Sequence, residues 1–229
     1  MVNVRYWRPR HQGINVKLIV KFVLLPCLFI ASTVAADETG PARSELERFA
    51  NKLDRLQADF TQTVKSQDGR VQDQTQGQVW LQNPDKLRWV YTGEFPEIIV
   101  ADSKNIWIYD ESLEQVTVKP QSDQLNDSPL MILADVSRLD DQFKVTELGD
   151  FEDMLLLELK SLDGESEFGR IVLGLVPGGI RMMAMEDAFG QRTEIHFENI
   201  LMNPPADPDL FTFTPPEGTD VVGVAALPE

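Results

Sequence analysis

From Ala58 onward the chain breaks into short runs of strand-forming residues spaced at a period of two. "DFTQTV", "GQVWLQ", "KLRWVYT", "EIIVAD", "NIWIYD" and "QVTVKP" follow one another, separated by "QDG", "NPD", "TGEFP" and "DSKN". The separators are turn chemistry, because Gly supplies positive φ, Pro presets φ, and Asn and Asp hydrogen-bond their own backbone. Connections of two to five residues join antiparallel neighbours as hairpins, so this half of the chain predicts a meander. After an interruption the pattern resumes with "QFKVTEL", "MLLLELKS", "GRIVLGLV", "GIRMMAME" and "TEIHFENILM", for eleven predicted strands in all.

Two stretches have helical periodicity instead. "SELERFANKL" opens with the spacing of a capping box, Ser44 and Glu47, and puts Leu46, Phe49, Ala50 and Leu53 on one stripe. In "QLNDSPLMILADV", Asp127 or Ser128 can cap and Pro129 suits a first turn, while Leu130, Met131, Leu133 and Ala134 crowd one side, predicting a short helix. Eleven antiparallel strands exclude a doubly wound sheet and point to one large, strongly curved sheet, as a sandwich or an incomplete barrel. Two helices are too few to cover such a sheet from outside, but they can plug its mouth. With no internal repeat, low-complexity tract or linker, one domain follows.

Within that pattern "KLRWVY" (86–91) is unusual, because at strand period Leu87, Trp89 and Tyr91 share one face and Arg88 and Val90 the other. So bulky a face packs against either a core or something brought from outside. "EIIVA", "MLLLEL", "IVLGLV" and "RMMAM" are apolar on both faces, although antiparallel sheets usually show one face to water. Met131, Met182, Met183 and Met185 add flexible, polarizable side chains of the kind that adapt to varied apolar guests; a large ordinary core would also use them.

The beginning of the chain changes the count of what folds. Residues 1–21 hold Arg5, Arg8, Arg10, Lys17 and Lys21 with no acid, and an apolar run from Phe22 to Val34 leads into "TVAADE". This is the layout of a secretory signal peptide cleaved after Ala36, and it is too short for a transmembrane helix of about 20 apolar residues. Residues 37–229 then form a single domain. Cys27 leaves with the signal, so the mature protein has no disulfide in its oxidising compartment. Five of the 21 basic residues leave as well and none of the 37 acids, which moves the formal charge from −16 to −21. Such a surface repels phosphate backbones and anionic head groups, and so argues against nucleic-acid binding and against lasting residence on a membrane.

Catalytic signatures are missing: there is no G-x-S-x-G, no phosphate-binding glycine loop, no H-E-x-x-H and no mature cysteine. His196, the one mature histidine, has no nucleophile or orienting carboxylate beside it in the pattern. Paired acids such as Asp140 with Asp141, or Glu165 with Glu167, do not stand out from a generally acidic chain, and "DGESE" reads as a hairpin turn before a calcium loop. The residues point to no enzyme, no metal and no cofactor.

"DFTQTV", "GQVWLQNPDKLRWVY", "IIVADSKNIWIYDESLEQVTV", "SPLMILA" and "FTFTPPEG", in that order over residues 44–218, resemble the LolA family of periplasmic outer-membrane lipoprotein carriers. The resemblance implies an eleven-stranded antiparallel sheet curved into an incomplete barrel, with a helical lid over an apolar cavity. It also implies a periplasmic, non-catalytic chaperone without a cofactor. Such a chaperone takes acylated lipoproteins from an ATP-driven exporter in the inner membrane to a receptor on the outer membrane, as a monomer. By position, Leu87 and Trp89 resemble cavity-facing strand residues and Leu130, Met131 and Leu133 the lid helix. Leu46, Leu53 and Leu56, assigned to the first predicted helix, are further candidates. The family pattern places an arginine before the hairpin proline, where it resembles a latch bonding to lid carbonyls. Here that residue is Asn83, before Pro84, which implies a weaker or relocated latch, with Arg88 as the nearby alternative. Other readings stay open: the outer-membrane receptor of similar fold (LolB-like), a periplasmic lipid-binding sensor or regulator, and a carboxylate-based hydrolase.

Overall fold

The structure, a computed structural model, describes residues 40–121, 136, 139–162 and 168–226. Twelve strands among them form one sheet. In chain order these are β1 (Arg55–Lys65), β2 (Val71–Gln82), β3 (Lys86–Thr92), β4 (Glu97–Asp102), β5 (Asn105–Asp110), β6 (Gln115–Pro120), β7 (Phe143–Phe151), β8 (Met154–Ser161), β9 (Phe168–Val176), β10 (Gly179–Asp187), β11 (Arg192–Met202) and β12 (Asp220–Gly223). Two helices accompany them, α1 (Pro41–Ala50) and the single turn α2 (Leu139–Gln142). The order across the sheet is β12-β6-β5-β4-β3-β2-β1-β11-β10-β9-β8-β7, so β12 and β7 are the edges and the sheet is not closed.

All eleven predicted strands form, and every pairing among them is antiparallel. The twelfth is the difference from the sequence reading: β12 pairs in parallel with β6. All four of its residues are exposed, so no face alternates and no pattern announces it.

The sheet is sharply bent. Neighbouring strands lie about 4.8 Å apart, so a flat sheet would separate β3 from β11, three strands away, by roughly 14 Å. The rings of Trp89 on β3 and Phe197 on β11 nevertheless have centroids 6.4 Å apart, and those of Phe60 and Trp89, two strands apart, 4.3 Å. The face carrying these rings is therefore the inner one. Register carries the same face across the sheet, from Trp89 through Val79 to Ala58, from Phe60 to Phe197, and from Ile195 through Met183 and Leu173 to Leu157.

Helix α1 lies on the inner face over β7–β10, burying Ala42, Leu46 and Phe49. It starts earlier than the sequence predicts, with Gly40 as N-cap and Pro41 in the first turn, and no side chain of its own caps it. The expected Ser44–Glu47 box does not form, because Ser44 already sits inside the helix, bonded to Gly40 O. The cap comes instead from β7: Glu147 accepts the backbone N–H of Ala42 (3.0 Å) and of Arg43 (2.9 Å). A Cβ at position 40 would overlap the Glu147 carboxyl, so any larger residue there displaces the cap. The second predicted helix, with Leu130, Met131 and Leu133, lies outside the described residues.

Candidate functional site

The inner face is one apolar cluster that includes residues of α1, β1–β4 and β7–β11. Leu46, Leu53, Leu56, Leu87 and Trp89, singled out from the sequence, all belong to it. Only Leu46 reaches it on the buried stripe of α1. Contrary to the expectation of one helix for all three leucines, α1 ends at Ala50, so Leu53 lies in the turn after it and Leu56 on β1, where alternation buries it as it buries Leu87 and Trp89 on β3. The centre of the patch is aromatic. Phe60 stacks at a tilt on Trp89 and meets Tyr91 edge-on at 5.3 Å, while Trp89 meets Phe197 edge-on. Such pairs add about 0.5–1.5 kcal/mol each beyond the area they bury. Gly77 faces this group, and a Cβ there would stand 2.9 Å from the Phe60 ring.

Not all of this face is sealed. Tyr91, Ile99, Ile106, Val145, Leu155, Ile200 and Met202 pack on the cluster while only partly buried. The polar atoms set into it are few. Tyr91 donates to Gln62 Oε1 at 3.2 Å, and the Trp89 indole N–H is buried without a hydrogen-bond partner. Burial, with the nearby Glu97 charge, pushes the Tyr91 phenol up to about 12, so it stays neutral. Glu97 pairs across the strands with Asp110 and is itself raised, by burial first and then by that like charge.

Helix α1 is anchored at both ends. At its start Arg43 makes a bidentate pair with Asp140 (2.7 and 2.6 Å) and a third bond to Glu47, which raises its pKa further. In its middle the buried Glu45 accepts Gly178 N–H at 2.7 Å and pairs with Arg48. Beyond its end Asn83 Nδ2 donates to Leu53 O at 2.6 Å, and its backbone N–H to Asp54 O. Asn203 donates to Lys52 O and accepts from Asp54 and Arg55 N–H. Arg88, one residue before Trp89, points to the other face, where it donates to Leu210 O at 3.3 Å and burial pushes its pKa down. Of the two latch candidates, Asn83 is therefore the one that meets carbonyls beside α1.

The opposite face is dressed differently. The segment after β11 covers part of it, with Phe213 against Trp107 and Tyr109. His196 is exposed there, since its neighbours Ile195 and Phe197 turn inward. Glu147, Asn203 and the Phe60–Phe197 half of the aromatic patch were not singled out from the sequence. Glu147 gives no local sign, being about a hundred residues from the helix it caps; Phe60 and Phe197 carry the same alternation signal as Trp89.

The inner face is thus one apolar surface, covered by α1 over β7–β10 and only partly buried at Tyr91, Ile99 and Ile106 on β3–β5. Residues 51–214 match the family model of LolA, outer membrane lipoprotein carrier protein. The chain belongs to the LolA family. It is 38% identical over 208 residues to the outer-membrane lipoprotein carrier protein of Xanthomonas campestris pv. campestris strain B100, covering 90% of this chain and 98% of that one. It is 36% identical over 202 residues to the carrier of Dechloromonas aromatica, covering 88% and 93%. An uncharacterized conserved protein of Thermus thermophilus has the same fold, with a TM-score of 0.53 at 13% identity over 80% of this chain and 99% of that one. Among the described residues of this LolA-family chain, no helix is long and apolar enough to cross a membrane.

Proposed function

We propose that this protein is a periplasmic chaperone that accepts acylated lipoproteins released from the inner membrane, shelters their acyl chains and delivers them to an outer-membrane receptor. The observation that carries the reading is the inner face, a continuous apolar surface only partly sealed, in a chain similar along most of its length to lipoprotein carriers. At about 0.8 kcal/mol per buried CH₂, an acylated protein does not cross water without such a shelter. Leu87, Trp89 and Leu56 form the wall, and Leu46 and Leu53 the roof beneath α1; Leu130, Met131 and Leu133 belong to the lid. Asn83 is the latch. A neutral amide holds a carbonyl without the charge assistance of arginine, so closure is looser and handover easier.

Residues 1–36 direct export and are removed. The chaperone works without a cofactor and without catalysis, receiving cargo from an ATP-driven exporter and passing it on down an affinity gradient. The test is to incubate the purified protein with inner-membrane vesicles holding a labelled lipoprotein, the exporter and ATP. A soluble one-to-one complex is expected; label that stays on the vesicles at every concentration contradicts the proposal.

A further inference from the structure

Alternation of strand direction sends every second hairpin to the same end of the sheet. Lys65 lies opposite both Val71 and Arg192, Glu186 opposite Arg192, and Lys160 opposite Arg170. The connections β1–β2, β3–β4, β5–β6, β8–β9 and β10–β11 therefore emerge at one end, away from Asn83 and Asn203. At this end large apolar side chains turn to water: Phe95 (73% exposed), Leu113 (68%) and Phe189 (87%) in the turns β3–β4, β5–β6 and β10–β11, Val71 at the start of β2 and Leu162 just after β8. Neighbouring hairpins are two strands apart, about 10 Å, so the five side chains form an arc along the rim. A lone exposed apolar residue is ordinary, but turns are normally polar, and apolar tips on three of these hairpins, flanked by Val71 and Leu162 at strand ends on the same rim, make a patterned surface.

The surround is acidic. Asp68, Glu94, Glu111 and Glu114 sit on the same connections, and Asp187 ends β10 beside them. Most of the nearby bases are engaged, Arg70 with Asp68, Lys65 and Arg192 with Glu194, and Lys160 and Arg170 with Glu158, while Lys144 stands at the same end of β7. This arrangement repels an anionic membrane surface and complements apolar sockets edged by Lys and Arg. We propose that this rim docks on a protein surface of that chemistry at one of the two membranes between which cargo moves. The inference rests on the carrier reading and adds to it the surface that meets the partner, separate from the face that holds the acyl chains.

The test is a triple variant, Phe95→Ser, Leu113→Ser and Phe189→Ser, beside a charge variant, Glu94→Lys, Glu111→Lys and Glu114→Lys. Both are measured in loading from inner-membrane vesicles and in delivery to outer-membrane vesicles. Binding of a fluorescent fatty acid to the inner face and the urea midpoint are read in parallel. Fatty-acid binding and the midpoint should match wild type while at least one transfer step falls tenfold or more in both variants, with that step slowed by added salt in wild type. Unchanged transfer in both steps overturns the rim. So does binding of wild type, lost in the triple variant, to protein-free vesicles of zwitterionic and anionic phospholipid. Absence of fatty-acid binding in wild type would instead count against the carrier reading, independently of the rim.

Discussion

Glu147→Ala perturbs the seat of α1 without touching the apolar face. In the folded protein this carboxylate accepts two of the three backbone N–H groups that this helix start leaves unpaired, from Ala42 and Arg43, Pro41 having none. Losing an N-terminal cap costs about 1 kcal/mol, and removing negative charge from the positive end of the helix dipole adds roughly 0.3–1 kcal/mol. Arg43 keeps Asp140 and Glu47, so the helix is loosened and not released. The combined effect is about 1.5 kcal/mol, or roughly a tenfold rise in the population with α1 detached. Hydrogen exchange resolved by peptide should show amides of residues 43–50 exchanging about tenfold faster, while β8–β10 are unchanged. Gly40→Ala should give the same phenotype by displacing the carboxyl, and add little on top of Glu147→Ala. Equal acceleration across the sheet, or none in α1, would refute the borrowed cap.

Three further expectations follow from single contacts. Asn83→Ala removes the donor to Leu53 O, about 1 kcal/mol; exchange at residues 51–56 and lipoprotein release should both quicken, and if neither changes the latch is elsewhere. Gly77→Ala drives a methyl against the Val90 carbonyl and the Phe60 ring, so a loss of about 1–3 kcal/mol in urea unfolding is expected, and a neutral result would contradict the tight aromatic packing. Glu97 has a folded pKa above its unfolded value, from burial and from Asp110, so its proton is held more tightly in the folded state. Its contribution to stability is fully present below the unfolded carboxylate pKa and is lost as pH rises through the raised folded value. Glu97→Gln should abolish that loss, with the variant gaining on wild type between acidic and neutral pH; parallel pH profiles would remove the basis for it.

The sheet was legible because most of its strands are wet on one side. Alternation in "KLRWVY" put Leu87 and Trp89 on the buried face and Arg88 on the other, where the structure has them. β12 was not legible, since four exposed residues have no face to alternate. The helix start was misjudged for a related reason. Ser44 and Glu47 have the spacing of a local cap, but a carboxylate from β7 takes that role, and no local pattern encodes a contact spanning about a hundred residues. The question first posed by the Trp89 face has a partial structural answer: Trp89 is core to Phe60 and Phe197, and its neighbours Tyr91 and Ile99 stay half open.

The most direct measurement of where cargo sits is photo-crosslinking from single positions. A photoreactive side chain at Ile99, half-buried on the inner face opposite Trp89, is compared with one at Gln78, exposed on the outer face of β2. With a lipoprotein carrying labelled acyl chains, the account predicts label transferred to Ile99 and none to Gln78. Equal labelling at the two positions, or labelling at Gln78 alone, would contradict it.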